Sequence, residues 1–232
     1  MKKSAFILAA LLLMALLASG LAQEELQIVQ SACSVMQSGE YHLVYCFAKV
    51  QNVSQSVVCL EKGSFDLHSG EQLLSTNEIT RIWPYFLAPG EEGYVFDIVT
   101  FEPGEDPSFV PQVTGISYRF ECLTIPGEMA GYALEPQTSL EWDEAGSLTV
   151  ICRLGNPTQM DAYDPTVAFG LYTQEGAMIY ADGVTLKDVG IPAGGEVLLR
   201  FPVDDSFVEQ WSGYGAAPAY AQVNAMFRRD ED

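Results

Sequence analysis

The chain has 232 residues and carries 31 acidic against 11 basic side chains, a formal net charge of −20 at pH 7. A surface with this charge repels phosphate backbones and anionic lipid headgroups, which argues against nucleic acid and anionic membranes as partners. The acidity is typical of a soluble exported protein, and divalent-cation binding is the narrower alternative.

Residues 1–22 have the layout of a secretory signal peptide. Lys2 and Lys3 precede an apolar run over 6–17, and small residues follow it up to Ala22. We therefore expect cleavage after Ala22 and a protein that is secreted, extracellular or held in the cell envelope. No later apolar stretch is long enough to span a bilayer, so we expect no membrane insertion after the signal is removed.

One stretch of the chain occurs twice at a spacing of 104 residues. Residues 46–55 read CFAKVQNVSQ and residues 150–159 read VICRLGNPTQ. Further matches at this spacing pair Asn52 with Asn156, Phe65 with Phe169, Leu67 with Leu171 and Gly90 with Gly194. A constant spacing across separated patches predicts a tandem duplication, with a first domain over 23–125 and a second over 126–232.

From Glu24 onward the pattern predicts an all-β fold. Runs rich in Val, Ile, Tyr, Phe and Thr alternate with Gly, Pro and Asn turns, and the one helical signal is a short turn over 206–211. The strands predicted in the first domain are 26–36, 41–52, 57–67, 71–75, 79–86, 93–101 and 113–123. Those predicted in the second are 132–141, 147–155, 166–173, 177–181, 184–190, 196–203 and 218–228. Seven short strands in about 100 residues are typical of a two-sheet sandwich.

Several short motifs resemble bacterial immunoglobulin-like modules. They are the paired Asn52 and Asn156, the strand-turns FDLHSGE and FGLYTQEG, and the strand entries LAPGEEGYVF and IPAGGEVLLRF. These motifs are similar to those of small secreted domains described as FxLYD-like or CARDB-like. The resemblance implies two tandem immunoglobulin-like β-sandwich domains that bind or space. It implies no catalysis and assigns no functional residue.

Four of the five cysteines lie in the first domain, and an even number in an exported domain predicts two disulfides with three possible connectivities. The strand arrangement implied by the resemblance favours the pairs Cys33–Cys46 and Cys59–Cys122. Cys152 stands alone in the second domain on the apolar face of a strand. We predict that it is a small buried hydrophobic residue.

Aromatic side chains are the candidate ligand-binding residues. Trp83 and Tyr85 precede a Pro-Gly turn, whereas Trp211 and Tyr214 lie around a Gly- and Ala-rich loop. Exposed rings on a sandwich stack on sugars or insert into a protein partner. The alternative is that these rings fill the core or cover its ends.

We find no motif for a catalytic site, a metal site or a cofactor. The two histidines, His42 and His68, lack the spacing of a zinc site or a Ser-His-Asp arrangement. Loop carboxylates cluster at 102–106, 161–164 and 204–205, but without the ordered pattern of a calcium-binding loop. We interpret these clusters as solvated acids.

These observations predict a secreted or cell-surface protein that binds or spaces and is not an enzyme. Its partner would be an unidentified protein or glycan at the cell surface. The alternatives are a carbohydrate-binding accessory module that uses Trp83 or Trp211, and a calcium-dependent adhesion module. A hydrolase with a pair of carboxylates is a further alternative.

Overall fold

The described part of the chain folds mostly into antiparallel β-strands with one short helix, which confirms the predicted all-β class. This computed structural model describes residues 25–80, 82–102, 111–127 and 131–228. The predicted signal peptide at 1–22 lies outside the described residues, as do the carboxylates Glu105 and Asp106 of one predicted acidic cluster.

The strands extend over nearly all of both halves. The first half contains β1 (Leu26–Ser38), β2 (Tyr41–Asn52), β3 (Val57–Ser69), β4 (Gln72–Ile79), β5 (Phe86–Leu87), β6 (Glu92–Phe101) and β7 (Gly115–Ile125). The second half contains β8 (Tyr132–Ala133), β9 (Glu135–Trp142), β10 (Leu148–Gly155), β11 (Ala162–Tyr163), β12 (Thr166–Tyr172), β13 (Met178–Thr185), β14 (Gly190–Ile191), β15 (Glu196–Pro202), α1 (Asp205–Gly213) and β16 (Tyr220–Phe227).

Four main sheets form the body of the molecule. Sheet I contains β3 with β4 and β5 along one edge and β7 along the other, and sheet II has the order β1-β2-β6. Sheet III has the order β13-β12-β16-β8, and sheet IV has the order β15-β10-β9. The short strands β11 and β14 pair separately.

Two hydrophobic cores stack these sheets in the order I, II, III, IV. The first core joins sheets I and II through residues such as Val44 and Phe65. The second is continuous across sheets II, III and IV, where Phe47, Phe169 and Cys152 belong to one cluster. The two halves therefore share a core.

The position of each sheet in the stack is visible in its burial pattern. Strand β12 lies in sheet III and is buried at all seven positions, as expected for a strand covered on both faces. Strand β15 lies in the terminal sheet IV and alternates between exposed and half-buried positions.

The same strand pairing recurs in both halves at the spacing of 104 residues. Strands β2 and β6 pair Gln51 with Glu92, and β10 and β15 pair Gly155 with Glu196. The short strand β5 pairs Leu87 with Val58, and β14 pairs Ile191 with Ala162. The spacing first seen in the amino-acid sequence is therefore also a spacing between equivalent hydrogen-bonded positions.

Two predicted strands are wrong. Residues 82–85 form a loop with a cis Trp83–Pro84 bond instead of the strand predicted at 79–86. Trp83 forms a single antiparallel bridge with Tyr94, and the pairing does not continue because Pro84 has no N–H to donate to a ladder. In the second half β13 runs without a break through the predicted gap near Asp182 and ends at Thr185, so little remains of the strand predicted at 184–190.

The predicted helical turn at 206–211 is confirmed as α1. The side chain of Asp204 caps it by accepting a hydrogen bond from the backbone N–H of Ser206 at 2.8 Å. Helix α1 follows β15 and buries Phe207 and Trp211 in the second core.

Candidate functional site: the junction between the two halves

The junction is a close contact between aromatic rings of the first half and small residues of sheet III. Trp83 and Tyr94 are both buried in the core that they share with the second half. A Cβ atom added to Gly170 would lie 2.7 Å from the Tyr94 ring, and one added to Gly183 would lie 2.8 Å from the Trp83 ring. The rings therefore lie directly against the backbone of sheet III, where only glycine leaves enough space.

A buried lysine lies in the middle of this junction. Lys49 on β2 is 7% exposed, and its Nζ lies 2.6 Å from the carboxylate of Glu92. The same Nζ donates a hydrogen bond to Oε1 of Gln222 on β16 at 2.9 Å and lies 5.6 Å from the centre of the Tyr172 ring. One cation thus joins an acid of the first half to an amide and an aromatic face of the second.

Two tyrosine hydroxyls continue this polar network. The hydroxyls of Tyr94 and Tyr172 lie 3.1 Å apart, and Tyr94 also donates to the carbonyl of Gln222 at 3.3 Å. Burial raises the pKa of Tyr94 to about 12 and raises that of Tyr172 even further. Both side chains therefore stay neutral and keep their protons for hydrogen bonding.

The edge strand β1 holds the second half at two further points. Gln30 donates to the carbonyl of Gly176 and accepts from the N–H of Met178, both at 3.0 Å. Near the other end of β1, the side chain of Gln210 on α1 donates to the carbonyl of Val35 at 2.7 Å. These contacts fix the orientation of the two halves along the length of β1.

The predicted ligand-binding aromatics do not form one exposed platform. Trp83 is 7% exposed and Trp211 is 4% exposed, since both belong to the shared core. Tyr85 is half-buried against Trp83 at 5.1 Å between ring centres, whereas Tyr214 is 58% exposed. The sequence analysis passed over Trp142 on β9, which is 45% exposed.

No two cysteine sulfurs lie at disulfide-bonding distance in the described part of the chain, and both disulfides stay predictions. Cys33 lies directly opposite Cys46 on the paired strands β1 and β2. The register of β3 and β7 instead sets Cys59 opposite Leu123 and Cys122 opposite Leu60, so Cys59 and Cys122 alternate to opposite faces of sheet I.

Cys152 is fully buried, as predicted. Burial raises the pKa of its thiol to about 11, so it is almost entirely protonated at neutral pH. This cysteine therefore behaves as an apolar residue of the second core.

The carboxylates of the loop after Asn156 hold the backbone of the segment 188–193. Asp161 accepts a hydrogen bond from the N–H of Ala193 at 2.9 Å, and Asp164 accepts from the N–H of Asp188 at 2.7 Å. Across the described ranges, no group of three or more His, Cys, Asp or Glu side chains is arranged to hold a metal ion. His42 is buried, and His68 lies 3.4 Å from the hydroxyl of Ser117.

Two open depressions of about 400 Å³ lie on the surface. The first, of about 410 Å³, is bordered by residues 51–55 and by Pro89 and Gly90. The second, of about 400 Å³, lies between the start of β10 and residues 202–205.

Within the described residues, no helix is long and apolar enough to cross a membrane.

A scan against models of known protein families finds no match, and a search of curated proteins finds no similar sequence. The geometry of the chain itself is therefore the basis for inferring its function.

The residues that join the two halves, above all Lys49, Tyr94 and Gln222, were not singled out from the sequence. A signal was nevertheless present in β2, which is apolar on both faces. Val44 and Val50 point to the first core, while Tyr45 and Phe47 point the other way. A strand with two apolar faces is typical of a sheet covered on both sides.

Proposed function

We propose that this protein is a secreted or cell-surface, non-catalytic binding or spacer protein made of two tandem immunoglobulin-like sandwiches. The recurrence of one pairing scheme at a spacing of 104 residues supports the tandem arrangement. Each half pairs two antiparallel sheets across a core, which supports the sandwich assignment.

The observation that carries the proposal is the continuous core across the junction. Phe47, Trp83 and Tyr94 are buried with residues of sheets III and IV in a single cluster. Domains joined only by a linker reorient by default, and a large apolar contact removes that freedom. A rigid pair of sandwiches holds whatever it bears at a fixed distance and direction, which is what a spacer requires.

Recognition by this protein depends on its outer surface, because the junction is filled by its own side chains. Burial of Trp83 and Trp211 does not favour the alternative in which their rings stack on sugars. Asp161 and Asp164 accept hydrogen bonds from the backbone of the segment 188–193, and Asp204 caps helix α1. These bonds support a structural role for the three carboxylates over a calcium-dependent adhesion site.

The spacer part of this proposal is tested by small-angle X-ray scattering on the purified chain. We expect one scattering profile that the two halves fit in their fixed orientation, with no change between low and high salt. A profile that requires an ensemble of orientations would contradict the proposal.

The binding part is tested by capture from an envelope fraction of the native organism, alongside a glycan array and a panel of hydrolase substrates. We expect a protein partner, no retained glycan and no turnover. Reproducible turnover that disappears on substitution of a carboxylate would favour the hydrolase alternative instead.

A further inference from the structure

The two faces of strand β1 pack against different cores. Cys33 and Val35 pack against the core between sheets I and II. The alternate positions Ala32 and Met36 pack against the core that includes the second half, and Gln30 makes the hydrogen bonds to Gly176 and Met178. Among the strands that the structure describes, β1 is an edge strand that pairs with β2 alone, so these contacts depend on how firmly β2 holds it.

The position of Cys33 allows a covalent link between these two strands. It lies directly opposite Cys46, and both thiols face the first core. Directly opposed residues of an antiparallel pair have Cα atoms about 4.5 to 5.5 Å apart, within the roughly 4.4 to 6.8 Å that a disulfide spans. The register of the two strands therefore sets this pair within the usual span of a disulfide.

We propose that Cys33 and Cys46 form a redox-sensitive cross-strand pair whose disulfide fixes β1 and, through it, the junction with the second half. The half-buried Cys33 thiolate attacks a small disulfide oxidant such as glutathione disulfide, which forms a mixed disulfide and releases one thiolate. Cys46 thiolate then attacks Cys33 Sγ and expels the second thiolate. The two cysteines are oxidised by two electrons, the oxidant is reduced to two thiols, and the two cysteine protons end on those thiols.

The contacts that β1 makes with the second half lie on both sides of Cys33. Gln30 lies three positions before it, and Val35, whose carbonyl accepts from Gln210, lies two positions after it. A disulfide at Cys33 thus restrains both contacts at once. The second half cannot form the equivalent disulfide, because Leu140 and Val150 occupy the positions that correspond to Cys33 and Cys46.

The surroundings of the pair make closure slow once the chain has folded. Burial raises the pKa of both thiols, and the neighbouring Cys33 and the Asp97 carboxylate raise that of Cys46 further. Tyr118 is coupled electrostatically to both thiols, and burial raises its own pKa, while the Cys122 thiol packs against the same core. Thiolates are therefore scarce at neutral pH, and closure accelerates as the pH rises.

The proposal is tested by comparing the purified chain after reduction and after incubation with glutathione disulfide. We expect a non-reduced digest of the oxidised chain to contain a peptide that links Cys33 to Cys46. For a ring of about 15 residues, loop entropy lowers the unfolding equilibrium constant by about 100-fold. A link from Cys33 to any other cysteine, or alkylation of both thiols after oxidation, would overturn the proposal.

The amide of Met178 reports on the junction directly, since its N–H donates to Gln30 across the two halves. We expect oxidation to slow its hydrogen exchange by about tenfold or more, together with the amides of β1. Slower exchange in β1 with no change at Met178 would show that the bond forms without fixing the junction, which would overturn the second part of the proposal.

Two variants provide the controls. Cys59 lies on the face of sheet I opposite to that of Cys122. Cys59→Ser removes this cysteine and should keep the full redox effect at Met178. The double variant Cys33→Leu, Cys46→Val copies the equivalent pair of the second half and should lose that effect. A redox effect that persists in the double variant would overturn the assignment, and the comparison of parent with Cys59→Ser stands even if the double variant does not fold.

Discussion

Asn52 and Asn156, which are 104 residues apart, form the same hydrogen bonds in the two halves. Asn52 donates to the carbonyls of Ser56 at 2.7 Å and Leu87 at 2.8 Å, and it accepts from the N–H and hydroxyl of Ser54. Asn156 donates to the carbonyls of Met160 at 2.7 Å and Ile191 at 3.0 Å, and it accepts from both groups of Thr158. Each buried asparagine therefore orders its own turn and joins that turn to a second segment, at Leu87 in the first half and at Ile191 in the second.

Replacing either asparagine by alanine should destabilise the protein by on the order of 2 to 3 kcal/mol, because buried carbonyls lose their donors. Urea unfolding of Asn52→Ala and Asn156→Ala measures this loss. Gln55→Ala and Gln159→Ala change exposed residues of the same two turns and should alter stability by less than about 0.5 kcal/mol. A large loss in one half alone would show that the two networks are not equivalent.

Replacing Lys49 by methionine should destabilise the protein by about 2 kcal/mol, because Glu92 and Gln222 lose a buried partner. The matched control is Arg153→Met, at the equivalent position of the second half. Arg153 pairs with Glu196 on the surface, where both side chains are more than half exposed, so its loss should cost less than about 1 kcal/mol. Equal losses in thermal or urea unfolding would contradict the role assigned to Lys49.

Adding a methyl group at Gly170 should disrupt the junction, because the new Cβ would lie 2.7 Å from the Tyr94 ring. We expect Gly170→Ala to cost roughly 1 to 3 kcal/mol and to move the two halves apart, as measured by unfolding and by small-angle scattering. The control is Gly213→Ala, where an added Cβ meets no atom within 4 Å, and it should leave both measurements unchanged. A neutral Gly170→Ala would show that the junction is loosely packed.

The Asp182 carboxyl should make stability depend on pH. Burial raises its pKa above the ordinary value of 3.8, although hydrogen bonds from Gly183 and Tyr180 oppose the shift. The folded state thus binds this proton more tightly than the unfolded state. The stability that this carboxyl contributes is complete below pH 3.8 and is lost as the pH rises through the raised pKa.

Asp182→Asn should therefore be more stable than the parent at neutral pH, with a difference that shrinks as the pH falls toward 4. The amide keeps an oxygen for the N–H of Gly183 and has a donor for the hydroxyl of Tyr180. Urea unfolding across this pH range provides the measurement. A difference of the same size at every pH would indicate a packing effect in place of ionisation.

Most of the individual strands could be predicted, but the way in which they stack could not. Alternation in β10 correctly predicted that Cys152 points inward, since the period of a strand identifies its buried face. It does not identify what covers that face. The apolar outer face of β2, with Tyr45 and Phe47, depends on sheet III, which comes more than a hundred residues later in the chain.

The same limit explains why the burial of Trp83 and Trp211 was not predicted from the sequence. Trp83 could be exposed on a loop or buried under a second domain, and its neighbours in sequence fit both situations. Its burial depends on Gly183, whose missing side chain leaves room for the ring. Such complementarity between distant positions is not visible in either segment alone.

The order of the four sheets has a consequence for how this architecture can grow. The inward faces of sheets II and III carry rings and glycines, whereas the terminal faces carry ion pairs, Asp66 with Arg119 on sheet I and Arg200 with Glu141 on sheet IV. A third copy that packed on either terminal face would have to remove these charged side chains from water, which costs free energy. Exchanging the positions of the two halves would expose Phe47 and Tyr94 to water. It would also bury the guanidinium groups of these ion pairs between the halves. The order of the sheets therefore gives the pair a direction, with the apolar faces turned toward each other and the ion pairs turned outward.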